Sequence, residues 1–144
     1  SGYPGMKILQ FAFDSREESD YLPHNYTHNC VVYTGTHDND TVMGWYDTLK
    51  GADKKLCDDY LRLKNADGEP IPREQIPWEF VRAAMSSVAD MAIIPMQDYL
   101  GLGSEARINI PSTLGINWMW RMGNGDFTKE LAGRIRSMTK LYGR

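Results

Sequence analysis

Three short, nearly unbroken apolar runs constrain this chain more than any other feature. They are 6–13 (MKILQFAF), 30–35 (CVVYTG) and 91–96 (MAIIPM). Each is too short for a free-standing helix, and turn residues flank the first, Pro4-Gly5 before it and Asp14-Ser15 after it. Runs of this kind read as strands buried on both faces, the pattern of a parallel sheet.

Helical periodicity fills the spaces between them. Asp40 or Thr41 suits the N-cap of a helix through Leu49, with Val42, Trp45, Tyr46 and Leu49 at helical spacing and Gly51 as its stop. A second helix is expected over about 54–64, with Leu56, Tyr60 and Leu61 on one face. A turn cluster follows at 65–70 (NADGEP). A third helix is expected from about Trp78 to Ala89, with Phe80, Val81, Ala84, Met85 and Val88 as its stripe and Pro77 in the first turn. A last one, about 128–141, carries Leu131, Ile135, Met138 and Leu141, with basic residues near its end. Residues 14–29 read as a long loop and 97–124 as irregular. Met43, Met85 and Met91 read as core.

The order is strand, loop, strand, helices, strand, loop, helix, which is the alternation of an α/β fold with parallel strands. Three strands with helices on one side would leave a sheet face bare. The chain therefore reads as part of something larger, and its open strand edges either invite self-association or are covered by the long loops.

The rest of the composition excludes several function classes. With 144 residues and a net charge of −3, the chain has length for one domain and no basic footprint for nucleic acid or anionic lipid. No apolar run is long enough to span a bilayer, and no signal peptide opens the sequence. The expectation is a soluble, cytoplasmic protein, or one of the plastid stroma if it comes from a plant. Cys30 and Cys57 lie too far apart for a metal knuckle and read as free thiols of a reducing compartment. Two Asn-x-Thr sequons, at Asn25 and Asn39, read as accidental in that setting.

In β/α folds the reactive groups gather at the carboxyl ends of strands, where the loops converge. That rule selects Asp14 after the first run and His37 and Asp38 after the second. After the third it selects Gln97 and Asp98, with Arg107 and Asn109 further on. No nucleophile elbow and no phosphate-cradling glycine loop is present. Carboxylates, amides and an imidazole beside four Trp and eight Tyr suit a polyhydroxylated ligand, because sugar hydroxyls need paired donors and acceptors and aromatic rings can cover the apolar sugar face. Plainer readings stand beside these. Asp38, Asn39 and Asp40 are all good capping residues. Asp14 serves equally as a strand-end turn residue. Gln97 and Asp98 either shape the strand end or touch ligand, and Arg107 reads as a structural ion pair under the cleft. His24 and His28 have metal-ligand spacing, but Pro23, Asn25 and Thr27 place them in a loop. Trp118 and Trp120 alternate, and at least one is expected in the core.

Several stretches carry a resemblance. Residues 34–41 (TGTHDNDT) look like the last carboxylate motif of the α-amylase clan. Residues 4–7 (PGMK), 10–14 (QFAFD), 22–26 (LPHNY), 94–98 (IPMQD), 101–107 (GLGSEAR), 117–118 (NW) and 120–121 (WR) resemble the 4-α-glucanotransferases, also called amylomaltases or disproportionating enzymes. The match runs in order along nearly the whole chain.

The resemblance implies that this chain is the C-terminal part, about three β/α units, of a TIM (β/α)8 barrel. A full barrel takes about 250 residues. The chain would then be a single partial domain over 1–144 with a helical insertion at about 52–76. The implied activity is transfer of α-1,4-glucan segments between maltooligosaccharides by a retaining double displacement. An Asp nucleophile and a Glu acid/base stand about 5 Å apart in such enzymes, here expected upstream of Ser1, so that the fragment alone is inactive. Asp38 matches the third carboxylate, the transition-state stabiliser. His37 would bond the same sugar, and Asp14 and Asn109 match positions that look toward the cleft. No metal and no organic cofactor is implied. The rivals are a glucan hydrolase of the same clan and a non-catalytic glucan-binding module.

Overall fold

The computed structural model describes residues 2–144. The strands are β1 (Gly5–Ile8), β2 (Cys30–Tyr33) and β3 (Met91–Ile93). The helices are α1 (Val42–Tyr46), α2 (Gly51–Tyr60), α3 (Ile76–Met85), α4 (Met96–Tyr99) and α5 (Lys129–Leu141). The strands form one parallel sheet in the order β1-β2-β3. Gly5 pairs with Cys30 through to Ile8 with Tyr33, and Val31 pairs with Met91 through to Tyr33 with Ile93.

The three apolar runs do become the three strands, but each strand stops before its run does. The first run leaves the sheet after Ile8 and tightens into a 3-10 turn over Leu9–Phe11. That turn sends Leu9 and Phe13 into a core with Val42, Met43, Tyr46 and Phe80. The Phe13 and Phe80 rings meet edge to face, 6.3 Å apart. The end of the third run becomes α4, with Pro95 as its N-cap. Four residues give no helical period to read, so this helix was invisible in the sequence.

Helix α3 explains its own apolar composition, because it is packed on several sides. Ile76 and Phe80 join the core just described. Ala84 packs with Cys30 and Val32 of the sheet, and Trp78, Val81 and Met85 pack against Met138 of α5. Thr41 caps α1, its hydroxyl accepting from the Gly44 N–H at 3.1 Å. Thr128 caps α5 in the same way, accepting from Leu131 N–H. Helix α1 ends at Tyr46 rather than Leu49. Gly51 does not stop it; at φ +56 it opens α2 instead. The 65–70 turn forms as expected, the Asn65 side chain accepting from the N–H groups of Asp67 and Glu69. Cys30 and Cys57 are both free and buried.

The expectation of strands buried on both faces fails in this chain. Cys30 and Val32 are buried against α3, but Met6, Met91 and Ile93 on the other face are 53%, 54% and 41% exposed. Paired residues of parallel strands share a face, so Met6, Val31 and Met91 form one open apolar row. Met91 is therefore not core, whereas Met43 and Met85 are buried as expected. Among the described residues no helix is long and apolar enough to cross a membrane.

Candidate active site

The segment after β2 folds into a tight turn because its own side chains close it. Asn39 Oδ1 accepts from both the N–H and the hydroxyl of Thr36 at 2.8 Å, and the Thr36 hydroxyl accepts from the Asp38 N–H at 3.3 Å. The turn leaves the His37 and Asp38 side chains half exposed. Two more segments converge on them. Asn109 donates its amide N–H to Asp38 Oδ1 at 2.8 Å, and His37 Nε2 lies 3.4 Å from the same oxygen. The Asn109 backbone N–H donates to the His37 carbonyl at 3.1 Å. The indole of Trp118 packs against the His37 ring with centroids 5.0 Å apart. Trp118 holds a left-handed φ of +61 and donates its N–H to the Ile108 carbonyl. A bulky side chain in that region carries backbone strain, which tends to gather at functional sites.

Arg107 ties the arrangement from below. It donates to the Asp38 carbonyl at 2.7 Å and to the Asn109 carbonyl at 2.9 Å. Among the described residues the expected ion pair is not formed: the partners of Arg107 are two backbone carbonyls, so its role is structural but its bonds are not salt bridges. Behind it lies a cavity of about 170 Å³ at the carboxyl ends of β2 and β3, lined by His37, Asp40, Gln97, Asp98 and Arg107 among others.

Gln97 and Asp98 shape this strand end. Both are buried; Gln97 donates to the Ala106 carbonyl, and Asp98 accepts from Thr34 and from Val42. Burial pushes the Asp98 carboxyl up to about 6, with Asp40 adding to the rise and the bonds from Thr34 and Val42 opposing it.

Of the four residues expected in the site, His37, Asp38 and Asn109 come together. Asp14 is not among their partners. Its carboxylate accepts from the Arg16 guanidinium at 2.7 and 2.9 Å and from the Arg16 backbone N–H. Those bonds hold the Asp14 carboxyl down at about 2. His24 bonds Tyr60 and Glu18, and His28 bonds the Val88 carbonyl, so both pack their loop. Among the described residues no group of three His, Cys, Asp or Glu side chains is placed to hold a metal ion. Trp118 is 61% exposed and Trp120 only half-buried, so neither is the core residue expected. Both stand on a loop held by local bonds rather than on a packed face.

Two features escaped the sequence reading. Gln10 donates to the Asp40 carbonyl at 2.8 Å, and Ser104 donates to Asp40 Oδ2 at 2.6 Å. The signal was present, since Gln10 is the one amide inside an apolar run, and a buried amide needs a partner. Gly35 and Gly44 mark the same contacts. A Cβ at Gly35 would strike the Gln10 amide, and one at Gly44 would strike the Ser104 hydroxyl and the Asp40 carboxylate.

The chemistry this permits is recognition of hydroxyls. Among the described residues Asp38 Oδ2 has no hydrogen-bond partner, so a half-exposed carboxylate oxygen is open beside an imidazole and an amide. The Asp38 backbone is held by Arg107, which fixes where that oxygen points.

The chain is similar to known proteins along its whole length. The family model for 4-alpha-glucanotransferases of glycoside hydrolase family 77 matches residues 1–126. A 4-alpha-glucanotransferase of Clostridium butyricum is 50% identical, over 100% of this chain and 28% of its own length. One of Thermus thermophilus is 47% identical, over 96% of this chain and 28% of its own. A chloroplastic/amyloplastic one of Arabidopsis thaliana is 47% identical, over 99% and 24%. The amylomaltase of Streptococcus agalactiae, solved in complex with acarbose, superposes with a TM-score of 0.89 at 37% identity, over 99% of this chain and 28% of that one. The chain thus spans about a quarter of the length of the relatives it matches. On the family match and these identities, the chain belongs to the 4-alpha-glucanotransferase family.

Proposed function

We propose that this chain is the C-terminal part of a (β/α)8 catalytic barrel, and that the complete enzyme moves α-1,4-glucan segments from one maltooligosaccharide to another. The observation that carries this reading is the meeting of Asp38, His37 and Asn109 at the carboxyl end of the sheet, where barrel enzymes bind substrate. The open apolar face of the sheet supports the same reading, since a barrel interior would cover Met6, Met91 and Ile93. Helix α2 and the turn after it are then a helical insertion at about 52–76.

The reaction follows a retaining double displacement. A carboxylate nucleophile and a carboxylic acid, both outside this chain, form and resolve a glycosyl-enzyme intermediate. Asp38 contributes by accepting hydrogen bonds from ring hydroxyls, bonds that strengthen as the sugar flattens toward its oxocarbenium-like transition state. His37 and Asn109 hold Asp38 and bond the same sugar. Exclusion of water lets a sugar hydroxyl attack the intermediate instead.

The test is incubation of the full-length protein with maltotriose, followed by chromatography of the products. The expected result is glucose together with a ladder of longer maltooligosaccharides, and no turnover by the 144-residue chain alone. Glucose and maltose without longer products would replace this reading with a hydrolase. Glucan binding without turnover by the full-length protein would replace it with a binding module.

A further inference from the structure

One buried carboxylate holds both ends of the loop that presents His37 and Asp38. Asp98 lies on α4 and is 2% exposed. Its Oδ2 accepts from the Thr34 hydroxyl at 2.6 Å, and its Oδ1 accepts from the Val42 N–H at 2.9 Å. Thr34 directly follows β2, and Val42 is the first residue of α1. A single planar group of fixed size therefore sets the distance between the two ends of the segment that carries the candidate site.

The placement is unusual as packing. A buried carboxylate is costly to desolvate, and among the described residues no Lys or Arg pairs with Asp98. An apolar side chain would fill the space without that cost. What an apolar side chain cannot provide is the bridge between the Thr34 hydroxyl and a first-turn N–H that the helix itself leaves unpaired. A second tie acts on the same loop from the other side, where the Asp40 carbonyl accepts from Gln10 and its carboxylate from Ser104.

We propose that Asp98 is a positioning residue for glucan transfer, acting through the Thr34 and Val42 ends of the loop to hold Asp38 and His37 against the sugar. This rests on the function proposed above.

The test uses the full-length protein with Asp98→Ala, Asp98→Asn and Thr34→Val, assayed for maltotriose disproportionation and for amide exchange by mass spectrometry. Asp98→Ala is expected to lower kcat by at least about tenfold, with KM within about threefold. Asp98→Asn, whose amide can bond both partners, recovers most of that loss. In an Asp38→Asn background the same alanine substitution costs less than about threefold, because Asp98 acts through Asp38. Exchange across 34–42 speeds up in Asp98→Ala while α2 keeps its wild-type rate. If Asp98→Ala does not fold, Thr34→Val removes one donor and leaves the carboxyl in place, and it predicts a smaller change of the same pattern. Unchanged kcat and unchanged loop exchange in either folded variant would overturn the proposal, as would losses that add in full to those of Asp38→Asn. An inactive wild type would refute the transferase reading alone, since loop exchange still decides the role of Asp98.

Discussion

Arg107 joins the two arms of the candidate site, so substituting it disturbs both without touching the open oxygen of Asp38. Its guanidinium donates from two nitrogens, one bond to the Asp38 carbonyl and one to the Asn109 carbonyl. Hydrogen bonds from a charged donor contribute about 1.5–3 kcal/mol each. Arg107 is only half-buried, which favours the lower end of that range and gives about 3 kcal/mol for the pair. If the whole loss falls on the barrier, Arg107→Ala lowers kcat by about a hundredfold, at 1.36 kcal/mol per factor of ten. Lys offers a point charge rather than a fork and can keep one bond of the two, so Arg107→Lys should cost about tenfold. The assay is initial-rate release of glucose from maltotriose by the full-length enzyme, with the thermal midpoint measured alongside to separate unfolding from misplacement. The two substitutions should rank in that order with KM little changed. An Arg107→Ala enzyme within threefold of wild-type kcat would refute the argument that these two carbonyl bonds hold the site. A rise in KM alone would mean that Arg107 helps bind the ground state only.

Other consequences are simpler to check. Because burial raises the folded pKa of Asp98 to about 6, the native state binds that proton more readily than the unfolded chain does; the resulting stability is fully present below the ordinary carboxylate pKa and is lost as pH rises through about 6. The thermal midpoint of wild type minus that of Asp98→Asn should therefore shrink between pH 4.5 and pH 8, and a difference that grows over this range would contradict the burial argument. Asp14→Asn should leave kcat within about threefold of wild type, since the Asp14 carboxylate is engaged by Arg16; a fall of more than about tenfold would return Asp14 to the sugar site. Among the described residues β1 and β3 each leave one strand edge unpaired beside an open apolar face, so the isolated chain should self-associate in sedimentation experiments. A monomer across the micromolar range would count against that expectation.

The sequence showed the three strands, their order and parallel sense, the cap of α1 and the span of α5, because these follow from local pattern. It also brought out the His37-Asp38 turn, whose capping residues lie within three positions of one another. What it could not show were bonds between distant segments. The contacts of Arg107 with Asp38 and of Asp98 with Thr34 span more than sixty residues, and no period or spacing encodes them. The misreading of Met91 has a different cause. Its run has the composition of a doubly buried strand, but among the described residues nothing covers the face on which Met91 stands. Trp118 escaped because nothing in an Asn-Trp pair announces a left-handed backbone. Asp14 lies farther from its strand than the run suggests: the apolar run ends beside it, but β1 itself ends at Ile8.

The most direct measurement is the turnover of Asp38→Asn in the full-length enzyme. The substitution keeps size and shape, lets the Asn109 side chain keep a partner, and removes the charge that the transition state is proposed to use. A preorganised electrostatic contact of this kind contributes several kcal/mol, so kcat for maltotriose should fall by about a hundredfold to a thousandfold while the fold and its thermal midpoint stay close to wild type. An Asp38→Asn enzyme that still builds the glucan ladder at near wild-type rate would show that this carboxylate does not serve the reaction.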